Sequence, residues 1–393
     1  MTPSARLSAA IAVLDRVLGG TPAEQALTNW GRASRFAGSG DRAAVRDLVF
    51  DALRCRRSFA ALGRSETGRG LILGGLRATG VEPAALFTGE GHAPAGLSDQ
   101  ESAPLGELPE LVALDCPDWL APALRDSLGE DFTSVMQALR RRAPTFLRVN
   151  AARGTCAAAQ AALAAEGIAA QPHPLSQNAL EVTGNARKIQ TSGAYLEGLV
   201  ELQDAASQAV IDILPIAPGQ RVLDYCAGGG GKSLAMAARG ANPVFAHDAD
   251  PRRMRDLPQR AARAQASVQV LDAAAVDRLA PYDLVLADVP CTGSGSWRRS
   301  PEGKWALTPE RLDELIAIQA AILDRAAALV APHGCIAYVT CSLLARENAE
   351  QIGAFRRRAP AWRLVREMRL TPVQGGDGFF VALLTRVSGS HTA

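Results

Sequence analysis

From Arg221 to Thr385 short apolar runs alternate with helical stretches, and no other feature constrains the fold as tightly. The strand-like runs are Arg221–Tyr225, Pro243–His247, Ser267–Leu271, Asp283–Ala287, Cys335–Thr340 and Phe379–Thr385. Helices are expected in the gaps, the clearest spanning Thr308–Leu329. This pattern predicts an α/β domain with a Rossmann-like, doubly wound sheet over residues 201–388. In such sheets ligands bind outside the carboxyl ends of the strands, so residues just after each run are the candidates for chemistry.

The rest of the chain reads differently. Leu7, Ala10, Ile11, Leu14, Val17 and Leu18 recur at helical spacing, and Asp41 opens a second helix with Val45, Leu48, Val49 and Leu53 on one face. Residues 1–87 therefore read as a small all-α domain, and 88–110, rich in Gly, Pro and Ser, as a linker. Helical character returns from Leu111 to Arg142, then gives way to a strand at Thr145–Asn150, an alanine-rich helix at Cys156–Glu166, and short strands near Leu180–Val182 and Tyr195–Glu197. Residues 111–200 thus form a helical and α+β segment. A total of 393 residues fits two or three such domains.

Composition excludes several classes. Charged residues make up 21% and hydrophobic residues 48%, which rules out wholesale disorder. The net charge of +2 neither demands nor excludes nucleic acid. Seven cysteines, an odd number without a Cys-x-x-Cys pair, argue against a disulfide framework and a zinc site. No signal peptide or membrane span is evident, so a cytoplasmic, metal-free protein is expected.

Asp224 and Tyr225 lead into Cys226-Ala227-Gly228-Gly229-Gly230-Gly231-Lys232-Ser233 and then a helix. A phosphate loop would need Gly at position 226, and a dinucleotide fingerprint would need Gly at 233; both fail. S-adenosylmethionine needs a glycine turn plus a carboxylate after the next strand, where Asp248 stands to accept the ribose hydroxyls. Asp272, after the third strand, is placed either to reach the adenine amine or to cap the following helix. A plain helix-capping turn is the alternative to any ligand site. Lysine is rare here, limited to Lys188, Lys232 and Lys304, which singles out Lys232.

Cys291, in Asp288-Val289-Pro290-Cys291, and Cys341, in Thr340-Cys341-Ser342, both follow strands on the ligand edge. The other cysteines read as small buried hydrophobes. Carbon 5 of a pyrimidine is a poor nucleophile. A thiolate added at carbon 6 turns it into an enamine-like carbon able to accept a methyl group, after which a base removes the carbon 5 proton. Position alone does not say which thiol attacks.

Cys-Ala-x-x-Gly-Gly-Lys, Asp-x-Pro-Cys-x-Gly-x-Gly and Thr-Cys-Ser, in this order, resemble the Sun/Nop family of RNA cytosine-5 methyltransferases, in particular its RsmB type, which modifies small-subunit ribosomal RNA. Leu147–Asn150 and Gln203–Gln208 resemble that family's RNA-facing segment, and Asp41–Arg54 its NusB-like helical domain. The resemblance implies Cys341 as nucleophile and Cys291 as the group that helps release product. It places Cys226, Ala227, Gly228, Gly229, Gly230, Gly231, Lys232, Asp248, Asp272 and Asp288 around S-adenosylmethionine, with Asp288 and Lys232 also beside the reacting base. Gly229, a more permissive residue, stands where the family usually has Pro.

The expected partner is structured RNA, in the first place 16S ribosomal RNA, bound by a monomer. A transfer-RNA methyltransferase and an inactive RNA-binding assembly factor are the rivals. Arg298 and Arg299, flanked by Trp297 and Trp305, are the leading RNA-contact candidates; Arg140–Arg142, Arg54/Arg56/Arg57 and Arg356–Arg358 are weaker ones.

Overall fold

The computed structural model describes residues 1–387, so the expected catalytic boundary at residue 388 lies outside the described residues. The chain divides into two compact units. One comprises Met1–Arg142 and Trp297–Ala306; the other comprises Ala143–Ser296 and the chain from Leu307 onward.

The first unit is helical: α1 (Pro3–Leu18), α2 (Ala23–Ala33), α3 (Ser39–Arg54), α4 (Arg56–Gly63) and α5 (Gly68–Ala78). Leu7, Leu14, Val45, Val49, Leu71 and Leu73 build its core. Sequence periodicity passed over α2 because its inward face is mainly alanine (Ala23, Ala26) and leaves little apolar signal. Asp41 lies in the first turn of α3, where its carboxylate accepts from Gly38 N at 3.1 Å. Residues 88–110, expected as a linker, carry a short helix (Asp99–Ser102) and run along α5, where Arg69 donates to the Ala95 and Gly96 carbonyls and pairs with Glu101. The helices Ala121–Leu128 and Phe132–Leu139 also belong to this unit.

The second unit holds two sheets. In the small one β1 (Thr145–Val149), β2 (Ala169–Pro172), β3 (Ala179–Gly184) and β4 (Val200–Leu202) are ordered β2-β3-β1-β4, all antiparallel. The strand expected at Tyr195–Glu197 is a helical turn, Gly193–Leu196, because the Ser192 hydroxyl caps it by accepting from Tyr195 N. The strand lies farther on, at β4.

The large sheet comprises β5 (Val222–Asp224), β6 (Val244–Ala246), β7 (Val268–Val270), β8 (Tyr282–Asp288), β9 (Val330–Thr340), β10 (Trp362–Leu370) and β11 (Phe379–Arg386), ordered β10-β11-β9-β8-β5-β6-β7. Strands β5 to β9 pair in parallel and β11 runs antiparallel to β9. This is the expected Rossmann-like sheet with one reversed strand added. β10 was hidden in the sequence because charged residues (Arg363, Arg366, Glu367) interrupt its apolar alternation on an edge. Alternate residues of the central strands bury opposite faces: Leu223, Val285 and Ala287 pack with Leu323 and Phe355, whereas Val222, Leu284 and Leu286 pack with Val210 and Met236. That two-sided burial accounts for the near-continuous apolar runs. No helix among the described residues is long and apolar enough to cross a membrane.

Candidate active site

The ends of β5, β6, β8 and β9 converge on one edge of the large sheet. After β5 the chain turns through the glycines into the helix Gly231–Ala238, with Gly228 at φ 52° and Gly230 at φ 78°. Both angles lie in the left-handed region that glycine alone adopts without strain. At Gly230 a Cβ would also collide with the Leu257 side chain. Gly228 N donates to Asp248 Oδ2 at 2.8 Å, so the carboxylate after β6 holds the turn directly. Asp248 Oδ1 accepts from Asp250 N at 2.9 Å, and Arg253 pairs with Oδ2 at 3.1 Å.

Beside the turn opens a cleft of about 400 Å³. Asp248 and Asp272 supply its carboxylates, Leu271, Pro251 and Val276 its apolar walls. Asp272 Oδ1 caps the helix Ala273–Leu279 by accepting from Ala275 N at 2.7 Å, and the residue also lines the cleft. Below the turn, Asp224 is buried. Ser233 Oγ donates to its Oδ2 at 2.6 Å, Oδ1 has no partner, and burial pushes this carboxyl up to about 7.

The two cysteines meet. Asp288 of β8 lies opposite Val339 of β9, so the segments leaving these strands start side by side. Gly295 N donates to the Cys341 carbonyl at 2.9 Å and folds the first segment back, leaving the Cys291 and Cys341 Sγ atoms 3.4 Å apart. Lys232 reaches in from the glycine-turn helix and donates to Asp288 Oδ2 at 2.7 Å. Burial opposes its charge, but the Asp288 carboxylate outweighs burial and holds the ammonium above the ordinary lysine value.

The pair is electrically unequal. A hydrogen bond from Cys291 lowers the Cys341 thiol, with Lys232 and Ser296 helping, against burial and Asp288. The same hydrogen bond, burial and the Glu347 charge push Cys291 well above the ordinary thiol value. Cys341 is therefore the readier thiolate and Cys291 the proton holder. Burial, with the neighbouring carboxylates, also pushes the Cys226 thiol well up, which leaves it a poor nucleophile within the turn. Burial likewise lifts Cys55, Cys116 and Cys335 to about 11.

Sequence reasoning missed Glu347. Its buried Oε1 accepts from Thr292 N at 2.8 Å and Gln319 Nε2 at 2.9 Å, while Oε2 accepts from Thr292 Oγ1 at 2.6 Å and from Ser342 Oγ. One carboxylate thus ties the residue after Cys291 to the residue after Cys341. In sequence it is one more charge in a polar stretch, with nothing to mark it.

Of the expected RNA contacts, Arg299 and Arg356–Arg358 are exposed, whereas others are buried or engaged. Trp297 and Arg298 are 2% and 4% exposed. Their segment belongs to the helical unit, where Arg54 Nε donates to the Arg298 carbonyl, Lys304 Nζ to the Arg54 carbonyl at 3.0 Å and Trp305 Nε1 to the Leu53 carbonyl at 2.6 Å. Lys304 and Trp305 thus satisfy C-terminal carbonyls of α3, and Trp297, Arg298 and Lys304 are too buried to present an open face to RNA. Arg140 and Arg57 are engaged by Asp115 and Asp118. Arg148 and Asn150, in the segment likened to an RNA-facing one, are buried as well. Among the described residues no cluster of three or more His, Cys, Asp or Glu could hold a metal.

Comparison with known proteins agrees with this picture. The family description "16S rRNA methyltransferase RsmB/F" matches residues 211–385, and an RsmF/B-like ferredoxin-like domain matches 116–189. The chain is 35% identical over 292 residues to ribosomal RNA small subunit methyltransferase B of Xanthomonas campestris pv. campestris, covering 69% of this chain and 67% of that one. It is 33% identical over 286 residues to the protein of that name from Vibrio cholerae serotype O1, covering 69% and 65%. The crystal structure of PH0851 superposes with a TM-score of 0.77 at 22% identity, covering 98% of this chain and 99% of that one. Fold and site together define a Rossmann-like RNA methyltransferase. The chain belongs to the RsmB/F family, as an RsmB-type member of the Sun/Nop methyltransferases.

Proposed function

We propose that this chain transfers a methyl group from S-adenosylmethionine to carbon 5 of a cytosine in structured RNA, with 16S ribosomal RNA as the substrate. The observation that carries the reading is the thiol pair 3.4 Å apart beside the Lys232–Asp288 ion pair.

The residues present suit the cofactor. The cleft is of small-molecule size, its apolar walls suit an adenine ring, and Asp248 and Asp272 offer acceptors for ribose hydroxyls and the adenine amine. Cys226 to Lys232 would line the remainder. S-adenosylmethionine supplies the electrophilic methyl group when bound.

Cys341 thiolate adds to carbon 6 of the cytosine, forming the C–S bond and moving an electron pair toward carbon 5. Carbon 5 takes the methyl group and still carries its proton. Cys341 is now a neutral thioether, so its own hydrogen bond and negative charge no longer raise Cys291, and only burial and Glu347 still hold that proton. Cys291 can then release its proton to solvent, the one proton that the overall methylation sets free, and as thiolate accept the carbon 5 proton. The C–S bond breaks and Cys341 leaves as thiolate, restoring the aromatic ring. Asp288 steadies the ring edge, and Lys232 keeps the negative charge on Cys341 tolerable in a buried setting. The helical residues 1–87 and the segment 111–200 serve RNA recognition, in a monomeric cytoplasmic enzyme.

Denaturing gels with target RNA and S-adenosylmethionine test the assignment. Cys291→Ala should accumulate a slow covalent band, and Cys341→Ala should give neither band nor product. The reverse pattern would exchange the two roles. Bisulfite sequencing of ribosomal and transfer RNA from a deletion strain tests the substrate; a site lost only from transfer RNA would redirect it, and no lost site would favour an assembly factor.

A further inference from the structure

The glycine turn is held from outside by two guanidinium groups. Arg148 on β1 and Glu201 on β4 are direct cross-strand partners in the small sheet, and both are buried. Arg148 Nη1 donates to the Gly231 carbonyl at 2.7 Å and to Gln203 Oε1. Glu201 binds Arg263 at 2.7 Å and Arg260 at 3.5 Å, both from the helix Leu257–Ala264. Arg260 in turn donates to the Gly229 carbonyl. One rung of the small sheet therefore grips the turn at two carbonyls, on either side of Gly230. The docking beneath it is close: Asn150 Nδ2 donates to the Ala264 carbonyl at 2.9 Å, and Gly198 lies so near Arg263 that a Cβ would strike its carbonyl oxygen.

The grip falls where the sequence is loosest. Gly229 donates no backbone hydrogen bond among the described residues, lies outside the left-handed region and has no side chain to restrain it. The peptide plane that carries its carbonyl is pinned at its nitrogen end, where Gly230 N donates to the Ala227 carbonyl at 2.8 Å, and a turn left loose at the carbonyl end must be ordered on ligand binding, which costs affinity. Arg260 holds it in advance. A Cβ at Gly229 would sit 3.1 Å from Arg260 Nη1, so a side chain there and the guanidinium are alternative ways of filling the same space.

We infer that Arg260 and Arg148, set by the Glu201 rung of the small sheet, are positioning residues that pre-shape the glycine turn for the cofactor. The inference rests on the S-adenosylmethionine reading above. It also makes cofactor affinity depend on the small sheet, a part of the molecule that touches no reacting atom.

Full-length protein tests it with two readouts: calorimetric affinity for S-adenosylmethionine, and amide hydrogen exchange over residues 226–234 without cofactor. Arg260→Ala should weaken affinity about fivefold and speed exchange at 228–232, with the kinetic loss in KM for S-adenosylmethionine rather than kcat. Adding Gly229→Ala to Arg260→Ala narrows the turn's freedom without a clash and should recover about twofold, with part of the protection. Glu201→Gln should act in the same direction as Arg260→Ala. Unchanged affinity and exchange in Arg260→Ala would overturn the inference, as would losses that Gly229→Ala leaves untouched in both readouts. Failure of the wild type to bind S-adenosylmethionine would sink the cofactor reading instead, and exchange alone would then decide whether the clamp exists.

Discussion

Replacing Glu347 should damage the site in a graded way that follows from its hydrogen bonds. The carboxylate accepts four: two from N–H groups at Oε1, two from hydroxyls at Oε2. Glu347→Gln can keep its oxygen toward Thr292 N and Gln319 and turn its amide toward the Thr292 and Ser342 hydroxyls, which rotate to accept. All four bonds then survive as neutral ones. A bond to a charged group contributes about 1.5–3 kcal/mol and a neutral one about 0.5–1.5, so Gln should cost roughly 2–4 kcal/mol in stability after the charge's own burial penalty is relieved. Glu347→Ala leaves Thr292 N–H and one N–H of Gln319, whose other still reaches the Pro290 carbonyl, without acceptors, at about 1–3 kcal/mol each, and opens a cavity besides, for a total of roughly 4–7 kcal/mol. Urea unfolding of both variants measures this order. The functional signature should be sharper: kcat falls in both, because the cysteine-bearing segments lose their common anchor, whereas S-adenosylmethionine affinity holds, because Glu347 touches nothing in the cofactor cleft. Equal stability of Gln and Ala, or a loss of affinity with kcat intact, would refute the anchoring argument.

Other perturbations have definite directions. Asp224 is pushed up to about 7 by burial, from 3.8, so the folded protein holds a proton that the unfolded chain releases; stability is full below about pH 4 and declines as pH rises toward 7, by up to roughly 4 kcal/mol. Asp224→Asn should remove that decline, and wild-type and variant unfolding curves that stay parallel from pH 4 to 8 would contradict it. Lys232→Met should raise the Cys341 thiol, since it removes a favouring cation and leaves Asp288 unneutralised; the acid limb of the kcat/KM profile moves to higher pH, and Cys341 alkylates more slowly at neutral pH. Gly295→Ala would drive its Cβ into the Gly378 carbonyl oxygen, so the Cys291 segment must shift; about 1–3 kcal/mol of stability and most methyl transfer should be lost, read by thermal denaturation and turnover. Asp248→Ala should weaken S-adenosylmethionine binding by about 1.5–3 kcal/mol in a calorimetric titration, since it removes a charged acceptor for the ribose and the bond that holds Gly228.

The catalytic sheet was legible in the sequence because its information is local. Strands buried on both faces read as unbroken apolar runs, helix Pro309–Leu329 carries its period and its Thr308 cap within one stretch, and the cofactor and thiol residues follow strand ends at short fixed distances. Two adjacent parallel strands then start the segments that carry Cys291 and Cys341 side by side. What tertiary structure decided depends on pairs far apart in the chain. A polar residue says nothing of whether water or a carbonyl will satisfy it. Arg148 reads as a solvent-facing cation until Gly231 lies beneath it, and Arg298 as an RNA contact until α3 covers it. Glu347 becomes an anchor only when the ends of β8 and β9 present their donors to it. Burial of a charge is settled by which partners the fold delivers, and those partners are set by packing across the whole unit, not by the neighbours a residue has in sequence.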